Sequence, residues 1–128
     1  HIAGKDGIYA AALLVEMLAV TGKSVSQLYQ EITDKYGMLY YEDAAFTMTQ
    51  ARKAQLQEKL FVKLEVPDFG NTVEKINRTD GCKVYFTDGS WVICRFSGTE
   101  PLLRMAAEGE TQSQARTYIR IWREALGL

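Results

Sequence analysis

The chain has 128 residues, 47% of them hydrophobic and 24% charged, an ordinary balance for a soluble globular domain with some additional structure. Its 15 basic and 16 acidic side chains give a formal net charge of −1, so no overall positive field attracts nucleic acid or an anionic membrane. The longest apolar stretch, about residues 8–20, is shorter than the ~20 residues that a membrane span needs. We therefore expect no nucleic-acid or membrane partner, and any anion site must arise from local geometry.

Two helices are predicted at the start of the chain. Asp6 can cap a first helix that runs to about Val20, and Ser24 can cap a second that runs to about Tyr36, each followed by a glycine. Apolar residues surround most of the first helix, so both of its sides are expected to contact protein. Because this pair cannot enclose a core, we predict that residues 1–37 are the helical tail of a preceding domain and expose an apolar surface.

From residue 38 to residue 128 the pattern predicts a second domain, built from strands and two helices. Helices on one face of an antiparallel sheet form a two-layer α+β domain, which is the fold class we predict. The side of the last helix that is expected to face the sheet consists of Ala115, Tyr118, Ile119, Trp122 and Leu126. Predicted strands cover about residues 38–46, 72–77, 82–87, 90–96 and 102–108, and predicted helices start at Thr47 or Thr49 and at Thr111, where Thr111-Gln112-Ser113-Gln114 resembles a capping box.

The two cysteines, Cys82 and Cys94, are predicted to be free thiols. Asp88-Gly89 between apolar runs is a strong signal for a two-residue hairpin loop. That loop would place Cys94 opposite Lys83. It would also place Cys82 opposite Arg95, and alternation would then put the two sulfurs on opposite faces of the sheet. Free thiols suit a reducing cytoplasm, and two separated cysteines with a single histidine do not predict a metal site.

The most informative stretch is the loop Arg95-Phe96-Ser97-Gly98-Thr99-Glu100-Pro101, which joins two apolar strands. Arg95 offers a planar fork for two phosphate oxygens. Ser97 and Thr99 add hydroxyl donors, and Gly98 lets the backbone approach a ligand with its N–H groups. The same residue types also form ordinary turns, and Arg95 could equally be a surface arginine in an ion pair.

Two charged residues beside this loop have roles that the sequence leaves open. A carboxylate next to a phosphate would repel it, so we expect Glu100 to face away from the ligand and to fix the loop. Arg104 lies on the following strand, where it either contacts the ligand or forms a structural ion pair.

The string Arg-x-Ser-Gly-Thr-Glu-Pro, followed by a strand that carries Arg104, resembles the phosphate-binding loop of the α-D-phosphohexomutases. The start of the chain, with Lys5-Asp6-Gly7 leading into a helix, resembles the segment after that family's sugar-binding loop, at the end of its third domain. The resemblance covers nearly the whole chain and is sharpest at residues 1–10 and 95–104. It implies that residues 38–128 are the family's fourth domain, which has a TATA-binding-protein-like fold.

The resemblance implies an enzyme of carbohydrate metabolism, an isomerase of the phosphoglucomutase and phosphomannomutase type. Such an enzyme interconverts hexose 1-phosphates and hexose 6-phosphates through a phosphoserine, with Mg²⁺ and a hexose bisphosphate as cofactors, in the cytoplasm. The family's phosphoserine loop and its Asp-x-Asp-x-Asp metal loop do not occur in this sequence. We therefore interpret the chain as a C-terminal fragment that is inactive alone and depends on missing N-terminal domains.

The resemblance also assigns residues. Lys5 would reach the active-site cleft near the sugar or the transferring phosphate, although a solvated lysine at a helix start is the alternative. His1 resembles a histidine near the reacting hydroxyl in some family members, but it could also be extraneous to the family segment. The phosphate of the phosphorylated hexose that is not reacting would be held by Arg95, Ser97, Gly98 and Thr99.

Two alternatives of other classes stay open at this point. The chain could be a non-catalytic phosphate- or partner-binding α+β module, or a purely structural domain that binds no anion. The serine and metal loops of a longer chain would distinguish a mutase from such a module. The motifs do not select among glucose, mannose and amino-sugar phosphates, and they do not specify an oligomeric state.

Overall fold

The computed structural model describes residues 6–63 and 65–128, so His1 and Lys5 lie outside the described residues. The chain divides into two compact units, His1–Met38 and Leu39–Leu128. The first unit contains two helices, and the second contains the sheet with two further helices.

Helices α1 (Gly7–Thr21) and α2 (Val25–Tyr36) form the first unit, and both were predicted from their caps. The Asp6 carboxylate accepts a hydrogen bond from the Tyr9 N–H at 2.9 Å, which satisfies one of the free donors at the start of α1. Ser24 caps α2 in a reciprocal capping box with Gln27.

The apolar side chains of this helical pair are exposed. Neither helix contains a buried residue, and Ile8 and Val20 are 86% and 80% exposed. Among the described residues, no single helix is long and apolar enough to cross a membrane. Only α1 and α2 taken together, with a bend of 85° at the break between them, reach that length and composition. As the sequence predicts, the pair leaves an apolar surface open.

The second unit is a five-stranded antiparallel sheet with helices on one face, which confirms the α+β prediction. Its strand order is β1-β5-β4-β3-β2, so the first strand of this unit pairs with the last. The strands are β1 (Tyr40–Thr47), β2 (Val73–Asn77), β3 (Cys82–Phe86), β4 (Trp91–Phe96) and β5 (Leu102–Gly109). The helices are α3 (Gln50–Gln57), which continues into a π-helical turn over Glu58–Val62, and α4 (Gln112–Leu126).

One hydrophobic core lies between the helices and one face of the sheet. The five residues that the sequence assigns to the inner side of α4 are all buried, with Trp122 fully so. Alternate residues of the strands meet them: Cys82, Val84, Phe86, Val92, Cys94, Leu103, Met105 and Ala107. Because side chains alternate along a strand, this buried set determines which residues point to the other face of the sheet.

The β3–β4 hairpin differs from the sequence-based expectation by one residue. Cys82 lies directly opposite Cys94, not opposite Arg95. The Phe86 N–H donates to the Ser90 carbonyl at 2.9 Å, and the Gly89 N–H donates to the Phe86 carbonyl at 3.0 Å. The loop therefore has three residues instead of two, and the last of them, Gly89, has a positive φ.

The longer loop changes the environment of both thiols. Cys82 and Cys94 now lie on the same, helix-facing side of the sheet, so the expectation of opposite faces was wrong. Both remain free thiols and both are fully buried. Burial raises the pKa of each thiol above its usual value, which makes both cysteines poor nucleophiles.

The Asp88 carboxylate holds this loop in place. One of its oxygens accepts from the Ser90 N–H at 2.9 Å and from the Ser90 hydroxyl at 2.6 Å. The other accepts from the side-chain amides of Asn71 at 2.7 Å and Gln114 at 2.9 Å. The hairpin is therefore tied to the loop before β2 and to the first turn of α4.

We expect the stability of this unit to depend on the charge of Asp88. Partial burial raises the pKa of Asp88, but hydrogen bonds from Ser90, Asn71 and Gln114 outweigh it and leave the pKa below its ordinary value. The stabilisation is thus complete above about pH 5 and is lost as the pH falls through about 3.9 to the lower folded-state pKa.

Asp88→Asn should make the loss of unfolding free energy at low pH (the acid limb of the stability curve) less steep. The measurement is urea unfolding followed by tryptophan fluorescence at several values from about pH 3 to 7, since both tryptophans lie in this unit. Ser90→Ala, which removes one donor and keeps the carboxylate, should give an intermediate slope. An acid limb in Asp88→Asn as steep as that of the wild type would contradict the assignment.

Candidate anion-binding site

The loop Ser97–Pro101 joins β4 to β5 and is held by backbone hydrogen bonds at both ends. The Ser97 N–H donates to the Leu102 carbonyl, and the Leu102 N–H donates to the Glu100 carbonyl, both at 2.8 Å. The Pro101 carbonyl accepts from the Met48 N–H at 3.0 Å. These bonds fix the loop at the ends of two neighbouring strands of the sheet.

The loop keeps several donors that no described protein group uses. The N–H groups of Gly98 and Thr99 donate to no acceptor among the described residues, and both residues are exposed. The Ser97 N–H is already bonded to Leu102, so only the Ser97 hydroxyl is available to a ligand. The loop thus offers two backbone donors and the Thr99 hydroxyl toward solvent, whereas the Ser97 hydroxyl belongs to a residue that is only 8% exposed.

Gly98 is not required by the backbone of this loop. Its φ lies outside the left-handed region, and a Cβ placed on it would meet no heavy atom within 4 Å. The fold therefore accepts a side chain at this position. The space that a side chain would fill is what allows another molecule to approach the backbone N–H groups.

Arg95 and Arg104 lie directly opposite each other on β4 and β5, on the sheet face away from the core. Like charges in directly opposed positions of an antiparallel pair are unfavourable unless an anion offsets them. Each has a carboxylate partner, since Asp80 lies 3.3 Å from Arg95 and Glu100 lies 3.0 Å from Arg104. All four side chains are at least 41% exposed, so these ion pairs are weak, at about 0–1 kcal/mol each.

A cavity of about 170 Å³ opens on the same sheet face and is lined by both arginines. Small residues, Ala45 and Ala106, form part of its lining, together with Asp43. The two guanidinium groups can therefore be reached by a small anion from this face of the sheet.

Asp80 reaches Arg95 because the turn between β2 and β3 packs closely against β4. Gly81 in this turn has φ +101°, and a Cβ placed on it would lie 2.5 Å from the Arg95 Cβ and 2.6 Å from the Cys94 carbonyl oxygen. Only glycine fits both the conformation and the contact. Sequence reasoning missed Asp80 and Gly81, although a second Asp-Gly turn before an apolar strand was a visible signal.

The predicted site residues are thus brought together in part. Arg95, Ser97, Gly98 and Thr99 lie on one strand end and its loop, and the β4–β5 pairing adds Arg104. Glu100 turns its carboxylate to Arg104, which ties the loop to β5. In the part of the chain that the structure describes, no three His, Cys, Asp or Glu residues come close enough to hold a metal ion.

Two models of known protein families match this chain. The model for "Phosphoglucomutase/phosphomannomutase, C-terminal domain" matches residues 44–123. The model for "Phosphoglucomutase/phosphomannomutase, alpha/beta/alpha domain III" matches residues 1–36. The α+β unit with its Arg-x-Ser-Gly-Thr-Glu-Pro loop is therefore of the C-terminal class of phosphohexomutase domains. The chain belongs to the phosphoglucomutase/phosphomannomutase family.

Individual relatives agree. A phosphoglucomutase/phosphomannomutase from Thermococcus kodakarensis is 32% identical over 120 residues, which cover 94% of this chain and 24% of that protein. A probable phosphoglucosamine mutase from Methanosarcina acetivorans is 39% identical over 103 residues, which cover 80% of this chain and 21% of that protein. The open-form crystal structure of parafusin, a phosphoglucomutase from Paramecium, matches 99% of this chain and 28% of its own, with a TM-score of 0.65 and 23% identity. The chain spans about a quarter of the length of the curated relatives it matches.

Gly81→Ala is expected to destabilise the sheet unit by roughly 2 kcal/mol or more, because it adds a backbone clash to an unfavourable φ. Gly70→Ala is the matched control, since Gly70 also has positive φ (+70°) but a Cβ there meets nothing within 4 Å. Its cost should be about 1 kcal/mol. Urea unfolding of both variants measures the difference, and equal costs would show that the Gly81 turn does not pack on Arg95 as described.

Proposed function

We propose that this chain supplies the substrate-phosphate site of a phosphohexomutase that interconverts hexose 1-phosphates and hexose 6-phosphates. The observation that supports the proposal is the opposed pair of arginines, Arg95 and Arg104, beside the free donors of the loop. A phosphate monoester carries about −1.5 to −2 charges at neutral pH and accepts several hydrogen bonds. It can therefore offset both guanidinium charges and accept from the N–H groups for which the described residues offer no acceptor.

The site is suited to bind the phosphate group without contacting the sugar. Arg95 can present two donors to two phosphate oxygens, and Gly98 leaves room for the phosphate at the backbone. None of these contacts depends on which sugar carbon carries the phosphate. The same loop can then hold either end of the substrate, and the end that is free is directed at the reacting groups.

The remaining parts of the reaction belong to the longer protein. We propose a cytoplasmic enzyme that uses a phosphoserine, Mg²⁺ and a hexose bisphosphate. The described residues of this chain do not form a metal site. We propose that the loop after β4 contributes binding and orientation of the phosphate. We further propose that residues 1–37 end the third domain and residues 38–128 form the fourth. Lys5 would then lie near the sugar or the transferring phosphate, and His1 near the reacting hydroxyl.

The first test is an amide-resolved NMR titration of the 128-residue chain with glucose 1-phosphate, glucose 6-phosphate and unphosphorylated glucose. Both phosphates should shift the amide signals of Gly98 and Thr99, and glucose should shift neither. The Ser97 amide should move less, because its N–H already donates to Leu102. Equal shifts with glucose, or shifts confined to other residues, would contradict a phosphate grip by this loop.

Arg95→Ala should lower phosphate affinity by at least about tenfold, and should lower kcat/KM of the longer enzyme by a similar factor. Alanine keeps the Cβ against which Gly81 packs, so the fold should survive. Arg95→Lys, which keeps the charge and loses the fork, should give a smaller loss. Arg120→Ala, from an exposed ion pair on α4, is the control. Unchanged binding and kinetics in Arg95→Ala would refute the proposed role.

A further inference from the structure

We propose that Asp80 is a built-in competitor of the substrate phosphate: its carboxylate occupies Arg95 in the empty site and so weakens phosphate binding. The inference rests on the function proposed above. Asp80 lies outside the loop motif, in the turn between β2 and β3, and the family match over residues 44–123 assigns it no role.

The position of Asp80 is fixed by its backbone. Gly81 lets the turn close against β4, with its Cα within contact of Arg95, and the preceding Thr79 N–H is bonded to the Asn77 side chain at 2.8 Å. The turn therefore holds the Asp80 side chain within reach of the Arg95 guanidinium. By contrast, Glu100 belongs to the phosphate loop itself and pairs with Arg104, four residues away on the same hairpin.

The contact between Asp80 and Arg95 is weak enough for another anion to displace the carboxylate. It is a single contact of 3.3 Å to one guanidinium nitrogen, and the Asp80 side chain is 78% exposed. A one-point, well-hydrated pair of this kind orders the arginine little. The main effect of Asp80 is therefore electrostatic, since its negative charge repels a phosphate that approaches the Arg95 guanidinium.

Weaker binding of the phosphate would help the substrate to turn over in a reaction of the proposed type. The phosphorylated sugar must leave the grip of the loop before its other phosphate can be held there. A site in which two arginines and two backbone N–H groups bind a dianion without competition would release it slowly, because differences in affinity appear mostly as differences in dissociation rate. A carboxylate that returns to Arg95 as the phosphate leaves favours that release.

The test is calorimetric titration of inorganic phosphate and glucose 6-phosphate into the full 128-residue chain at low ionic strength. The variants are Asp80→Asn, which removes the charge with little change of shape, and Glu124→Gln as control. Glu124 also belongs to an exposed ion pair with an arginine, but on α4. Asp80→Asn should lower the phosphate Kd by about three- to tenfold, and this gain should shrink as salt is added. Glu124→Gln should leave the Kd unchanged.

The outcomes separate this inference from the function on which it rests. If Arg95→Ala abolishes binding while Asp80→Asn binds as the wild type does, the site exists and the inference is overturned. Weaker binding in Asp80→Asn would overturn it too, since Asp80 would then orient Arg95. If the wild type binds no phosphate and Arg95→Ala changes nothing, the proposed function and the competition both fail. In the longer enzyme, Asp80→Asn should lower KM without raising kcat, a split that a purely structural role would not produce.

Discussion

The register of β4 against β5 is the constraint on which the candidate site depends. That register is set on the core face, where Val92, Cys94, Leu103 and Met105 are buried against the helices. A slip of one residue would expose this apolar set, so burial specifies the pairing strongly. The same pairing places the two arginines opposite each other on the other face. The sheet can hold two like charges in register because their mutual repulsion, screened by solvent, is small beside the cost of exposing the core.

Much of the fold could be predicted from local signals, and the errors lie where distant parts of the chain decide. Caps at Asp6 and Ser24 and the apolar side of α4 depend on residues a few positions apart, and these predictions were confirmed. The length of the β3–β4 loop was predicted wrongly because Asp-Gly serves both two- and three-residue loops. The Asp88 carboxylate stabilises the longer one through amides of Asn71 and Gln114, which lie on other elements.

In the candidate site, too, the features that depend on neighbouring residues could be predicted, and the contacts between distant residues could not. Its loop could be recognised because the arginine, the hydroxyls and the glycine are contiguous in sequence. The partner of Arg95 could not, since Asp80 lies in a different hairpin and reaches Arg95 only through the close contact at Gly81. Nor could the sequence show that the Ser97 N–H is already used by Leu102. Which N–H groups of the loop stay available therefore depends on how the loop folds and cannot be read from its residue types.

A net charge of −1 is compatible with the proposed anion site, because the two faces of the sheet differ in burial and in charge. One face is apolar and buried and carries the stability of the unit. The other face is half-exposed, so charges on it are screened. Its arginines can therefore change ion-pair partners at little cost in stability. Bulk charge would attract any anion, whereas in the proposed site an anion has to compete with the carboxylate partners of the two arginines. A phosphate, with its three terminal oxygens, can accept more hydrogen bonds than a single carboxylate does.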